Sequence, residues 1–265
     1  MGETEDDLLA ERRVRWAEND VLHVDDAAFH VRFGGEIPPR ELLSLPHVTK
    51  PRRMVEAYLD LLARLRPRPR RIVELGIYEG GSTALLAHLL RPDRIVAVDL
   101  AADRADALDR FSADHGYDDV VRAHYGVDQA DRPALERILD EDLGDAAPDL
   151  IIDDASHLLA ETRASFEVLF PRLAPGGHYI IEDWAWGLYL FARPPTSPSP
   201  AVVLFEMLLA LPYQHTHVAE MTVTMDLAII RKADEPCSPD PIRMDDAYAP
   251  YARRMVEAAE AAAAP

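Results

Sequence analysis

The segment DLIIDDASH, residues 149–157, ends an apolar run in two aspartates, Asp153 and Asp154, and sets His157 three residues beyond the second. A second run, GHYIIED, residues 177–183, ends in Glu182 and Asp183. Two such strands lying side by side and parallel are about 4.8 Å apart, which brings Asp153, Asp154, Glu182 and Asp183 within a few ångströms of one another. Carboxylates that close cannot all stay ionised unless some take up protons or a cation neutralises them. A hard divalent ion resolves the repulsion, and an all-oxygen donor set suits Mg2+ or Ca2+ better than Zn2+. The same acids could instead cap the following helix or pair with an arginine. His157 has the chemistry to take a proton from a hydroxyl near neutral pH, since an ordinary imidazole titrates at about 6.5. The plainer alternative for a lone histidine is a helix cap or a surface residue.

Such groups need a scaffold that delivers strand ends to one place. From residue 50 the sequence alternates: helix KPRRMVEAYLDLLARLRP, strand RIVELG, helix GSTALLAHLL, strand RIVAVDL, helix DRADALDRFSADHG, strand VVRAHYG, helix RPALERILDEDL, strand DLIIDD, helix HLLAETRASFEVLFPRL and strand GHYIIED. Short β-branched runs between helical stretches of ten or more residues predict a doubly wound α/β domain with a mostly parallel sheet. Two further strands, THVAEMTVTM and DLAIIRK, predict an antiparallel hairpin at its edge, and a helix closes the chain.

The turn after the first strand, VELGIYEGGST, carries Gly76, Gly80 and Gly81, which let a backbone approach a ligand beyond the strand ends. Similar turns also serve helix packing alone. Tyr78 stands where a dinucleotide motif has its second glycine, and its side chain would obstruct a pyrophosphate, which argues against NAD. Glu74 suits an ammonium or hydroxyl, and Asp99, closing the second strand, suits ribose hydroxyls. An adenosine-containing cofactor without phosphate fits.

Composition narrows the field. The 265 residues fit one domain or one domain with an addition, and 47 acidic against 28 basic residues give a net charge of −19. That balance opposes binding to nucleic acid or anionic lipid. The absence of a long apolar run and the acidic opening MGETEDDLLAERR predict a cytoplasmic protein away from membranes. The single cysteine, Cys237, excludes an internal disulfide and reads as a plain loop thiol.

Together VELGIYEGGST, VAVDL, GVDQAD, IIDDASH and YIIEDW resemble the motif series of class I S-adenosylmethionine-dependent methyltransferases. The chain is most similar to the metal-dependent sugar O-methyltransferases of macrolide biosynthesis, with a further likeness to cephalosporin-hydroxylase-like proteins. The likeness covers about residues 70–185, and it implies a Rossmann-like sheet of seven strands. It implies that Glu74 and Gly76 line the methionine part of S-adenosylmethionine, with Gly80 and Ser82 in the same turn. Asp99 then meets the ribose, and Asp128 and Gln129 the adenine side. For Asp128 and Gln129 the alternative is loop capping. The resemblance makes Asp154, Glu182 and Asp183 the ligands of Mg2+, with Ca2+ or Mn2+ as substitutes, and His157 the general base. Asp153 is left to support the site through hydrogen bonds or to line the cofactor pocket. Residue 155 is Ala where relatives usually have Gly, tolerable if its φ stays negative.

The reading implied is an O-methyltransferase acting on a hydroxyl of a small natural product, a sugar-bearing one. Its rivals are a catechol-type methyltransferase or hydroxylation partner on the same fold, and a catalytically silent binding protein. Residues 1–50, with the strand-like piece VLHVDDAAFHVRF, read as an accessory segment, a lid or an oligomer arm, before a cofactor-binding domain over 51–265. Relatives imply a homo-oligomer. The Pro- and Ser-rich stretch 184–200 reads as a lid, in which Trp184, Trp186 and Tyr189 could stack on the acceptor or simply pack. His215 and His217 read as solvent-facing residues of an edge strand.

Overall fold

Runs with few polar residues before their last position form strands buried on both faces. Ile72, Val73 and Leu75, then Ile95, Val96, Ala97 and Val98, then Leu150, Ile151 and Ile152, then Tyr179, Ile180 and Ile181 are each at most 2% exposed. The computed structural model of the protein describes residues 7–34, 38–186, 188, 199–211, 217–235, 243–247 and 249–263. Tyr189, His215 and Cys237 lie outside the described residues, as does most of the expected lid.

In chain order the elements are α1 (Leu8–Glu11), β1 (Arg15–Trp16), β2 (Val21–Val24), β3 (Ala27–Val31), β4 (His47–Val48), α2 (Arg52–Arg64) and β5 (Arg71–Leu75). Next come α3 (Gly81–Leu90), β6 (Arg94–Asp99), α4 (Asp106–His115), β7 (Val121–Tyr125), α5 (Arg132–Leu143), β8 (Leu150–Asp153) and α6 (Leu159–Arg172). The chain ends with β9 (His178–Glu182), α7 (Ala201–Ala210), β10 (Val218–Val223), β11 (Leu227–Lys232), α8 (Met244–Ala247) and α9 (Ala249–Ala263).

The strands form a four-stranded sheet, β1-β2-β3-β4, and a seven-stranded sheet in the order β10-β11-β9-β8-β5-β6-β7. Pairs β5/β8, β8/β9 and β6/β7 are parallel, whereas β11 runs antiparallel to both β9 and β10. This is the doubly wound, mostly parallel arrangement with a terminal antiparallel hairpin that the alternation predicts. Strand order reverses between β5 and β8, the topological switch point at which open α/β sheets bind ligands.

Contacts divide the chain into two compact units, residues 1–71 with 77–126, and residues 72–76 with 127–265. In the first unit, VLHVDDAAFHVRF is a hairpin rather than one strand, with Val24 paired to Ala27 around Asp25 and Asp26. Asp25 takes φ +50°, a left-handed value that aspartate tolerates better than most residues. Strand β4 pairs parallel to β3 and packs on the start of α3, where a Cβ on Gly81 would stand 2.0 Å from the His47 carbonyl oxygen. Only glycine admits that approach.

In the second unit, α5 starts where Asp131 accepts the Ala134 amide and Pro133 occupies the first turn, a start signal visible in the sequence. Helix α6 ends on a buried cation: Lys232 Nζ donates to the carbonyls of Pro171 and Leu173, each at 2.6 Å. His217, expected to face solvent, is half-buried before β10, and burial holds its imidazole pKa down.

Candidate active site

The second unit carries the switch-point chemistry. The Asp154 amide donates to the Leu75 carbonyl at 2.9 Å, extending the β5/β8 pairing by one residue. Gly76 follows with φ +97°, and a Cβ there would stand 2.1 Å from the Asp154 carbonyl oxygen. The chain then turns through residues 154–158 into α6. His157 takes φ +54°, two residues before the helix, rather than starting it. Ala155 keeps a φ outside the left-handed region, which its methyl requires.

One strand over, Asp183 follows β9 with φ +45°, its amide on the Asp226 carbonyl at 3.0 Å and its carbonyl accepting the Trp186 amide at 2.7 Å. Left-handed backbone at two side-chain-bearing residues costs on the order of 1 kcal/mol each, and such conformers concentrate at functional sites. Their outcome is a cluster: ligand atoms of Asp154, His157 and Asp183 all lie within 4.8 Å of one another, and all three residues are half-buried. His157 Nε2 stands 3.8 Å from Asp154 Oδ1. Glu182, the last residue of β9, is 2% exposed and outside that cluster. The two carboxylates, partly open to solvent, fit a hard divalent cation such as Mg2+ or Mn2+, with the imidazole beside them. The Trp186 ring, half exposed, sits 5.4 Å from the His157 ring at 40°, while Trp184 Nε1 is held by the Thr224 carbonyl at 3.0 Å.

Asp153 does not join the cluster. It is 2% exposed, and three side-chain donors converge on its carboxylate: Gln129 Nε2 at 3.1 Å, Ser165 Oγ at 2.8 Å and Tyr179 OH at 3.2 Å. Burial pushes its pKa up to about 6, against the pull of those three hydrogen bonds. Burial also pushes the Tyr179 phenol well up. The other end of Gln129, Oε1, accepts the Ser156 amide at 2.8 Å. Asp128 is exposed and accepts the Ala130 amide at 2.8 Å, the loop-capping geometry.

The first unit holds Gly80, Ser82 and Asp99. Asp99 Oδ2 accepts the amides of Ile77 and Tyr78, each at 2.7 Å, and its Oδ1 accepts that of Ala101 at 2.7 Å. That carboxylate shapes the glycine-rich turn: Oδ2 is taken up by two amides, and Oδ1 keeps a lone pair for a hydroxyl donor. Tyr78 takes φ +50° in the position a glycine often fills, with its side chain 69% exposed. Gly80, at φ +82°, precedes α3, and Ser82 is half-buried in the first turn of α3. Glu74 is 1% exposed within β5, opposite Ile152 of β8.

Ser165 and Tyr179 are the site residues that sequence reasoning passes over. Ser165 sits in mid-helix and carries no signal. Tyr179 carries one, because a tyrosine in an aliphatic, fully buried strand must find a partner for its hydroxyl.

Residues 73–184 match the family described as a methyltransferase domain. Over 134 residues the chain is 33% identical to the 8-demethyl-8-alpha-L-rhamnosyl tetracenomycin-C 2'-O-methyltransferase of Streptomyces olivaceus, covering 48% of this chain and 32% of that protein. Over 41 residues it is 54% identical to the mycinamicin VI 2''-O-methyltransferase of Micromonospora griseorubida, covering 16% of this chain and 10% of that protein. The chain thus spans about a third or less of the length of these curated relatives. Among solved structures it is similar to the MycE methyltransferase of the mycinamycin biosynthetic pathway in complex with Mg, SAH and mycinamycin VI. The TM-score is 0.53 at 23% identity, covering 72% of this chain and 50% of that one. It is also similar to the O-methyltransferase TomG of Streptomyces achromogenes, involved in tomaymycin synthesis and solved with SAM. There the TM-score is 0.52 at 24% identity, covering 73% of this chain and 85% of that one. At these identities the structural likeness bears on fold.

Proposed function

We propose that this chain, whose residues 73–184 match a methyltransferase-domain family, is an O-methyltransferase that uses S-adenosylmethionine and Mg2+. Its acceptor is a hydroxyl on the sugar of a small natural product, a reading supported by the rhamnosyl compound named for one curated relative. The observation that carries the reading is the convergence of Asp154, His157 and Asp183 beside the switch point.

Asp154 and Asp183 would hold the divalent ion, and Glu182 is proposed as a further ligand on the strength of the sequence resemblance alone. A bound Mg2+ supplies Lewis acidity toward the acceptor hydroxyl. His157 takes the hydroxyl proton on Nε2, the nitrogen 3.8 Å from Asp154. Trp186 offers a flat apolar surface next to that histidine, suited to a sugar ring or its aglycone. Glu74, Gly76, Gly80, Ser82 and Asp99 bind the cofactor, with Asp128 toward its adenine. Gln129 and Asp153, whose polar atoms are engaged with each other, support the site from behind it.

Transfer of a labelled methyl group from S-adenosylmethionine to a panel of glycosides and their aglycones, with Mg2+ or with chelator, tests the reading. Labelled glycoside that disappears with chelator is the expected result. Label on aglycone catechols alone would favour the catechol-type alternative, and cofactor binding with no transfer to any acceptor would favour a silent binding protein.

A further inference from the structure

Gln129 lies in the loop after β7, far in sequence from every group it touches. Its Nε2 reaches Asp153 Oδ1 at 3.1 Å and Ser165 Oγ at 3.3 Å, while its Oε1 takes the Ser156 amide at 2.8 Å. The orientation of the amide follows from its neighbours. Reversed, its NH2 would face the Ser156 N–H and its oxygen the Asp153 carboxylate, two repulsive contacts in place of two hydrogen bonds. The residue is 5% exposed, so neither end can be satisfied by bulk water.

The cluster around it joins four parts of the second unit. Asp153 is the end of β8, Ser156 belongs to the turn that carries Asp154 and His157, Ser165 comes from α6 and Tyr179 from β9. His157 sits in a left-handed conformation one residue after the amide that Gln129 holds. A backbone in that region persists only when its surroundings over-determine it.

We propose that Gln129 is a positioning residue, a two-ended strut that ties the 154–157 turn to the end of β8 and thereby aims Asp154 and His157 at Asp183. Its catalytic consequence rests on the methyltransferase reading, whereas its structural consequence does not. Residues that orient metal ligands from behind typically change metal affinity or activity by 10- to 100-fold when altered.

The test uses the full chain with the variants Gln129→Ala, Gln129→Glu, Asp153→Asn and the pair Gln129→Glu/Asp153→Asn. Gln129→Glu keeps the shape and the acceptor for Ser156 but sets a second carboxylate against Asp153. The double variant restores the contact with reversed polarity, an amide at 153 donating to a carboxylate at 129. Three quantities are read: amide hydrogen exchange at Ser156, Mn2+ affinity by calorimetry, and the thermal shift with S-adenosylmethionine. We expect Ser156 to exchange at least about tenfold faster in Gln129→Ala, and Mn2+ affinity to fall about 10- to 100-fold in Gln129→Glu. The double variant should recover most of that affinity, and the cofactor shift should survive throughout. Unchanged Ser156 exchange in Gln129→Ala overturns the strut. So does loss of the cofactor shift with Mn2+ affinity intact, which would return Gln129 to the cofactor site. A parent protein that transfers no methyl group sinks the functional reading, while Ser156 exchange still decides the strut.

Discussion

Gly76 and Asp154 close the ends of two neighbouring strands against each other: the Asp154 amide bonds Leu75, and the Asp154 carbonyl oxygen occupies the place a Cβ on residue 76 would need, 2.1 Å away. Gly76→Ala must therefore move the backbone that presents the acidic cluster, and its φ of +97° adds strain. We expect a loss of about 2 kcal/mol or more, measured by urea denaturation. Gly116→Ala is the control, since residue 116 is also left-handed but has nothing within 4 Å of the new methyl. It should lose only about 1 kcal/mol, and equal losses at the two positions would show that the Asp154 carbonyl yields freely.

Removing the proposed base separates binding from chemistry. His157→Ala should keep the thermal shift with S-adenosylmethionine and lower turnover by about 10²- to 10⁴-fold. Mn2+ affinity should stay within a few-fold of the parent. A large loss of Mn2+ affinity would instead make His157 a ligand, a role its place within the cluster permits.

Cation dependence has its own signature. At a hundredfold excess over Kd a ligand adds about 2.7 kcal/mol, which raises the melting temperature of a chain this size by several degrees. Asp154→Asn and Asp183→Asn should each abolish the Mg2+-dependent part of that rise. Glu182→Gln, outside the cluster, should weaken it less. Equal effects at all three positions would place Glu182 among the principal ligands.

Acid should destabilise the fold through histidines kept neutral. Burial holds the pKa of His88 down, with nearby His115 acting in the same direction. Asp26, 3.3 Å away, pulls it the other way but is itself largely exposed. Burial does the same to His30, His47 and His178. Below about pH 6.5 the unfolded chain then binds more protons than the native one, so stability falls as pH drops from about 7 toward the depressed native values. Asp153 works in the opposite sense. With its native pKa up at about 6, the native state holds the extra proton between roughly pH 4 and 6, and that contribution is lost as pH rises through the window. Melting temperatures at pH 8, 7 and 6 should decline for the parent and decline less for His88→Gln. A flat profile would mean these imidazoles charge without penalty.

Much of this was legible in the residues themselves. Helices α3 and α5 coincide with GSTALLAHLL and RPALERILDEDL because local signals bound them: the glycine turn for the first, Asp131, Pro133 and Gly144 for the second. The parallel strands were readable as apolar runs, and Asp154, His157 and Asp183 as chemistry at strand ends. The hairpin within VLHVDDAAFHVRF was not, since two aspartates are a weak turn signal and only pairing with β1 and β4 decides where the chain folds back.

The sequence by itself determined the sheet and the acids at its carboxyl edge, because periodicity and strand-end position are local properties of the chain. Tertiary structure alone decided which acids meet. Asp153 and Asp154 are neighbours in sequence, yet alternation along β8 sends one into a buried network with Gln129, Ser165 and Tyr179 and leaves the other in the half-open cluster. Gln129 reaches partners 24 to 36 residues away, and no local pattern encodes such a contact: it exists only once burial has removed water as the competing partner.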